Sequence, residues 1–518
     1  MIREPRLAVA TFAVLSAFLA SASFVDAKKP AAAPSPSPSA SPGPLPTATP
    51  EPPEVAVPRL EGKLKSNPSD QDALRDLAGY YLAANRPDAA YPLTQKLLQL
   101  GNKTAQTYFL DGVANQGLGR VNEATADFEN ASNREPTNSQ ILLTLTDLYL
   151  RQNRGADAER VAKRATTFNV TDPRVFENYG LVLAQENKMN DARAQFEAAA
   201  KLAPKDPLPF VLEARSYITE KNPAAAQQTF DRALALDAKN SDALLGKARL
   251  YAAGKDTTNA IATYEQLYNV VPNDDAKAAV YVEEYQVYRD AKNNDKALDT
   301  LKRGEAALPK SLALHVAHGD YEAGIAKDQA AAEREWKTAL GPDRNNTDAL
   351  TRLGELSLQQ RHVDDALGYF KRLTQVAPND PAAWSTAGTI ELQTSRFRDA
   401  HDAFRRAFEL ARTPQFLAGV GTTDLQLKNY KECSAVFSAI DKNAAPFMKQ
   451  NPQLLYAYGK CALANGEKDK ARSAYTRLRP MLKPNTPVAS EVNKALASLA
   501  GGPASGKPKT KSATKPKG

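Results

Sequence analysis

The sequence predicts an all-α solenoid, and three rows of residues in step with one another carry that prediction. Ala90, Ala124, Ala158, Ala192, Ala226 and Ala260 recur every 34 residues. Twelve residues upstream of each stands a small residue: Ala78, Gly112, Thr146, Gly180, Ala214 and Ala248. Four residues downstream the row is mostly bulky, with Thr94, Phe128, Ala162, Phe196, Phe230 and Tyr264. Small, small and large at fixed offsets describe two helices that cross closely. A fixed period of this length marks a stack of helix pairs. Such a stack buries apolar surface between neighbours, so a chain of 518 residues needs no single central core.

Residues 1–27 read as a secretory signal. Arg3 and Arg6 precede an apolar run from Leu7 to Ala20, and Ala20-Ser21-Ala22 and Val25-Asp26-Ala27 each suit signal peptidase. Cleavage is the expectation. An uncleaved anchor is the alternative, because no charge falls between Leu7 and Val25, a stretch of marginal spanning length. N-terminal arginines keep that end inside in either case, so the rest of the chain is expected outside the cytoplasmic membrane, periplasmic or secreted. The Ala-rich signal points to a bacterium. No Cys follows the apolar run to accept a lipid.

Residues 28–58 alternate Pro with Ala and Ser, as in Pro34-Ser35-Pro36-Ser37-Pro38. Proline lacks the amide donor a helix or sheet needs, so this stretch is expected as a disordered, polyproline-like linker. At about 3.1 Å per residue it reaches on the order of 90 Å. Residues 59–500 form the predicted repeat region, with Ala56–Lys65 as a half-repeat leading into it.

The unit 173–206 shows the repeat most clearly. Pro173 opens a helix where its missing N–H costs nothing, and Phe176, Tyr179, Gly180 and Leu183 form one apolar stripe. Asn187–Asn190 interrupts it. Asp191 then caps a second helix carrying Ala192, Phe196 and Ala199, and Pro204 closes the unit. These positions resemble the signature of tetratricopeptide-repeat (TPR) proteins. The match covers Phe176, Tyr179-Gly180, Leu183, Ala192, Phe196, Ala199 and Pro204. It returns in Leu350, Leu353-Gly354, Ala366, Phe370 and Pro378, and again in Trp384, Gly388, Ala400, Phe404 and Ala407. Leu244, Tyr251, Ala260, Tyr264 and Pro272 fit the same frame, as do Leu455, Gly459, Ala471 and Tyr475. About twelve such helix-turn-helix units fit between residues 71 and 485.

Where the period slips, extra residues are expected in turns. The step from Ala260 to Ala297 is 37, and from Cys433 to Ala471 it is 38. The unit 312–346 is irregular, with His315 and His318 at positions that call for large apolar residues. Residues 487–500 read as a capping helix. Cys433 and Cys461 are the chain's two cysteines. Two small buried residues is the preferred reading, with a disulfide between neighbouring helices of an oxidising compartment as the alternative. Sequence does not fix the Cα separation that a bridge requires.

Chemistry-bearing motifs are sparse. His315-x-x-His318, with Glu322 a turn further on, has the spacing to present two imidazoles to a metal, but a zinc site wants three or four ligands and the order His-Glu-x-x-His does not occur. Two histidines packed on a helix face are expected instead. The sequence contains no P-loop, dinucleotide turn or Gly-x-Ser-x-Gly elbow, and the repeats leave no long segment for a catalytic domain. No catalytic residue, cofactor or metal site is therefore expected, and the protein is read as not an enzyme.

The resemblance implies a groove lined by first helices, contacted mainly through their fifth and ninth positions. The ninth position carries Asp147, Arg215, Arg249, Asp320, Glu355 and Lys460, among uncharged residues such as Val113 and Leu181. Arg215 and Arg249 fall in adjacent repeats and suit an acidic segment, while Asp320 and Glu355 give the next stretch the opposite sign. TPR domains that clamp a C-terminal carboxylate pair Lys at the fifth with Asn at the ninth position, and no repeat here does so. The net charge of +8 includes five lysines in the acid-free stretch 501–518, so the repeats themselves are nearly neutral and nucleic acid is not an expected partner. Lys507, Lys509, Lys511, Lys515 and Lys517 belong to a tail expected to stay disordered and to attract polyanions. The resulting expectation is a non-catalytic scaffold for protein or peptide partners in envelope assembly, secretion or export. The alternative is binding of an anionic polymer or membrane surface through the lysine tail.

Overall fold

The computed structural model describes residues 51–500, apart from 169 and 342–343. The signal (1–27), most of the linker and the lysine tail lie outside the described residues. Every regular element described is a helix, 27 of them α-helical. Twenty-four pair into twelve helix-turn-helix units, from Gln71–Ala83 with Pro87–Gln99 to Pro452–Ala464 with Lys468–Leu478. The others are a leading helix Pro53–Ser66, a short helix Ala445–Gln450 and a closing helix Pro487–Ala500. None of the described helices is long and apolar enough to cross a membrane.

The three rows predicted from sequence are the core. The alanines 90, 124, 158, 192, 226 and 260 are all fully buried. Phe128, Phe196, Phe230 and Tyr264 are likewise buried. A Cβ on Gly112 would come within 2.9 Å of the Phe128 ring, and one on Gly354 within 2.7 Å of Phe370. The small residue is therefore the space the aromatic ring of the partner helix occupies. Phe404 is enclosed twice, by Gly388 of its own unit and by Gly419 of the next. That double contact transmits packing from one unit to its neighbour.

Two further rows keep the period of 34. Asp70, Thr104, Asn138 and Asp172 each accept the backbone N–H that opens a first helix, at 3.0, 3.2, 3.3 and 3.1 Å. In the turn inside each unit one residue has positive φ: Asn85, Gly119, Asn153, Asn187, Lys221 and Lys255. Only one of those six is glycine, so the turn accepts the cost of a left-handed L-residue to reverse the chain in few residues.

The details correct four expectations. The leading helix starts at Pro53, inside the stretch read as linker, because Pro53 at the first helical position needs no amide partner. Asp191 does not cap its helix: Met189 opens that helix after Lys188, and Asp191 sits in the first turn. The extra residues near 274–297 lengthen the first helix Asp274–Asp290 to 17 residues, where its counterparts have about 13. Those before Ala471 coil into Ala445–Gln450 and do not form a plain turn. Finally, Cys433 and Cys461 are buried as preferred, but they are joined in a disulfide with Cα atoms 5.8 Å apart. The bridge ties the second helix Tyr430–Asn443 to the first helix of the next unit, Pro452–Ala464.

The chain divides into two compact units, one within residues 30–304 and one from Glu305 onward. In the N-terminal unit the first helices Ser139–Arg151, Pro173–Gln185, Leu208–Thr219 and Ser241–Ala253 touch in succession, as do Gln71–Ala83 and Ala105–Gly117, so residues on that side share a first-helix face. The C-terminal unit repeats this contact among Pro381–Gln393, Pro414–Leu427 and Pro452–Ala464.

Candidate functional site

The ninth-position charges are held in ion pairs within the chain. Arg215 donates to Asp242 at 3.0 Å, and Arg249 grips Glu283 through two nitrogens at 2.9 and 2.5 Å. In both cases the acid belongs to the first helix of the following repeat. In the C-terminal unit Arg352 makes the same step backwards, to both oxygens of Asp320 at 2.9 and 3.2 Å, with Glu355 at 3.7 Å. Trp336 also donates to Asp320. Asp147 pairs with Arg151 on its own helix at 2.8 Å. The guanidinium groups expected to receive an acidic partner thus already bridge consecutive repeats, and Arg249 has both arms engaged.

Among the described residues Asn115 Oδ1, Arg164 Nε and Gln453 Nε2 are buried without a hydrogen-bond partner, and two more such atoms lie together on the helix Pro173–Gln185. Glu177 is 7 % exposed, and its Oε1 has no hydrogen-bond partner among the described residues. Burial, reinforced by the carboxylates of Asp206 and Asp172, pushes its pKa up to about 7, with Arg174 opposing weakly. Arg174 is itself held by Asp172, which it meets at 3.0 and 2.8 Å. Asn178 Oδ1 next to it is also buried and unpartnered. One turn further on, Leu181 keeps 37 % of its surface exposed. A buried acceptor beside an exposed aliphatic side chain can take an N–H or ammonium donor together with an apolar group.

Profiles for the tetratricopeptide repeat match residues 117–177 and 211–278, two stretches in which the helix pairs just described recur.

The chain carries tetratricopeptide repeats.

Among relatives of this TPR protein, cellulose synthase operon protein C of Xanthomonas axonopodis pv. citri is 26 % identical over 292 residues, 54 % of this chain and 19 % of the relative. The human mitochondrial import receptor subunit TOM70 is 22 % identical over 208 residues, 39 % of this chain and 34 % of the relative. The chain thus spans about a third or less of the length of these curated relatives. The crystal structure of YrrB, described as a TPR protein with an unusual peptide-binding site, is 22 % identical with a TM-score of 0.31. That alignment covers 36 % of this chain and 95 % of YrrB.

Glu177 occupies the fifth position of its TPR first helix, one of the two positions the resemblance singles out. Reading the ninth position alone passed over it. The signal was present in the sequence as an acid in a column otherwise held by residues such as Phe109, Leu143 and Val211.

Proposed function

We propose that this TPR protein is a non-catalytic scaffold outside the cytoplasm, binding protein or peptide segments on its first-helix face in envelope assembly, secretion or export. The observation that carries the reading is the unpartnered Oε1 of buried Glu177 beside exposed Leu181. A desolvated acceptor costs on the order of 1–3 kcal/mol while it lacks a donor, and a partner's amide or lysine would remove that cost. The neighbouring carboxylates of Asp172 and Asp206 favour a cationic donor over a neutral one. That one relative is named an import receptor subunit agrees with a role in recognition. The location rests on the signal-like residues 1–27 and gains support from the Cys433–Cys461 bond, since structural disulfides persist in oxidising compartments.

The test is a crosslinked pull-down from the producing organism's envelope fraction. Wild-type chain should recover discrete proteins, and the double substitution Glu177→Gln with Leu181→Asp should release them. Undiminished recovery with the double variant would remove Glu177 and Leu181 from the account. Arg215→Ala with Arg249→Ala is the weaker test, because those residues already hold adjacent repeats together.

A further inference from the structure

The irregular unit 312–346 gathers side chains that the repeat pattern does not explain. Glu305 comes from the helix Asn294–Ala307, His315 from Leu312–Tyr321 and Glu335 from Gln329–Ala339. One nitrogen or oxygen from each lies within 4.8 Å of the other two. His315 Nδ1 is 2.9 Å from Glu335 Oε2 and 3.6 Å from Glu305 Oε1. Donor atoms sharing a tetrahedral ion at zinc-like bond lengths stand about 3.3 Å apart, between those two separations.

His318 supports this cluster from behind. Its Nδ1 lies 2.9 Å from Glu305 Oε1 and its Nε2 3.4 Å from Glu322 Oε1. Glu322 begins a π-helical turn, Glu322–Ala326, a distortion that recurs at functional sites in helices.

Charge points the same way. Glu305, Glu322 and Glu335 bring three negative charges into a cluster whose side chains are 11–26 % exposed. Among the described residues, none of the three makes an ion pair with lysine or arginine. Three carboxylates with no lysine or arginine partner favour a cation among them. With an imidazole nitrogen in the set, the donors suit a first-row transition ion better than calcium or magnesium, which take oxygen.

We propose that Glu305, His315 and Glu335 bind one divalent transition-metal ion of the zinc class, with His318 and Glu322 orienting Glu305. Three protein ligands leave a coordination position for water or for a partner's donor group. Sequence spacing offered only His315, His318 and Glu322. The two glutamates that complete the site arrive from the flanking helices, 10 residues before His315 and 20 after it.

The experiment is calorimetric titration of chelator-treated full-length chain with zinc chloride alone. The expected result is one ion per chain, with affinity lowered at least tenfold by His315→Ala or Glu335→Gln. His318→Ala should lower it by about 10- to 100-fold through lost orientation of Glu305. His362→Ala, on an exposed histidine elsewhere, should change nothing, and calcium chloride should not bind there. Far-UV circular dichroism checks that each variant is folded. X-ray absorption of zinc-loaded wild-type chain supplies an independent readout: a nitrogen/oxygen shell containing one imidazole. Absence of zinc uptake by the wild type, uptake that the folded variants leave unchanged, or a shell without imidazole would each overturn the proposal.

Discussion

Arg249 reaches exactly one repeat along the chain, 34 residues, to hold both carboxylate oxygens of Glu283. Tyr264 donates to the same Glu283 at 2.9 Å from the second helix between them. One acid thereby joins two first helices and the second helix packed against them. The charges on the first-helix face therefore set the spacing of repeats before they meet any partner.

Glu283→Ala should accordingly destabilise more than Arg249→Ala. Arg249 is 47 % exposed, so its pair is worth about 0.5–1 kcal/mol. Removing Glu283 also strands the buried hydroxyl of Tyr264, for a total of roughly 1.5–3 kcal/mol. Urea unfolding of the two variants checks the order, and equal losses would show that Tyr264 draws nothing from Glu283.

Phe196 fills the space left by Gly180, and a Cβ on Gly180 would overlap its ring. Phe196→Ala should cost about 3–4 kcal/mol by leaving a cavity at the centre of its repeat. Hydrogen exchange should quicken first in residues 173–202, since stacked repeats unravel locally. Uniform quickening across the N-terminal unit would point to a more cooperative fold.

Stability of the N-terminal unit should fall as pH rises. Burial holds both Glu177 and Asp127 near a pKa of about 7, well above their unfolded values. Between those limits the unfolded chain has released these protons and the folded chain has not. Their favourable contribution is therefore whole below about pH 4 and is lost as pH approaches and passes 7. Glu177→Gln should raise stability at pH 8 by on the order of 1–2 kcal/mol and by much less at pH 4. Thermal denaturation of both proteins at the two pH values reads this, and a pH-independent difference would contradict it.

Reducing the Cys433–Cys461 bond opens a loop with a sequence separation of 28. The loss expected from that loop length is about 3–4 kcal/mol. Hydrogen exchange under dithiothreitol should quicken in residues 430–464. No change there would mean that packing around the buried cysteines suffices.

What could be read from sequence was whatever repeats in every unit. Ala90 to Ala260 and Gly112 against Phe128 are dictated by one crossing geometry copied many times, so spacing alone places them. Pairs such as Arg215–Asp242 were hidden, because they depend on how far one repeat is advanced against the next. The convergence of Glu305, His315 and Glu335 is a property of three helices together, and no single-helix spacing encodes it. Insertions also misled: before Ala471 the added residues contain Met448, whose burial coils them into a helix against the core.

Recognition through the first-helix face is tested most directly by site-specific photocrosslinking in the producing organism. A photoreactive residue would replace Leu181 in one strain and exposed Glu197, on the second helix of the same repeat, in another. The account predicts discrete protein adducts from position 181 and none from 197. Adducts equal at both positions, or found only at 197, would contradict it.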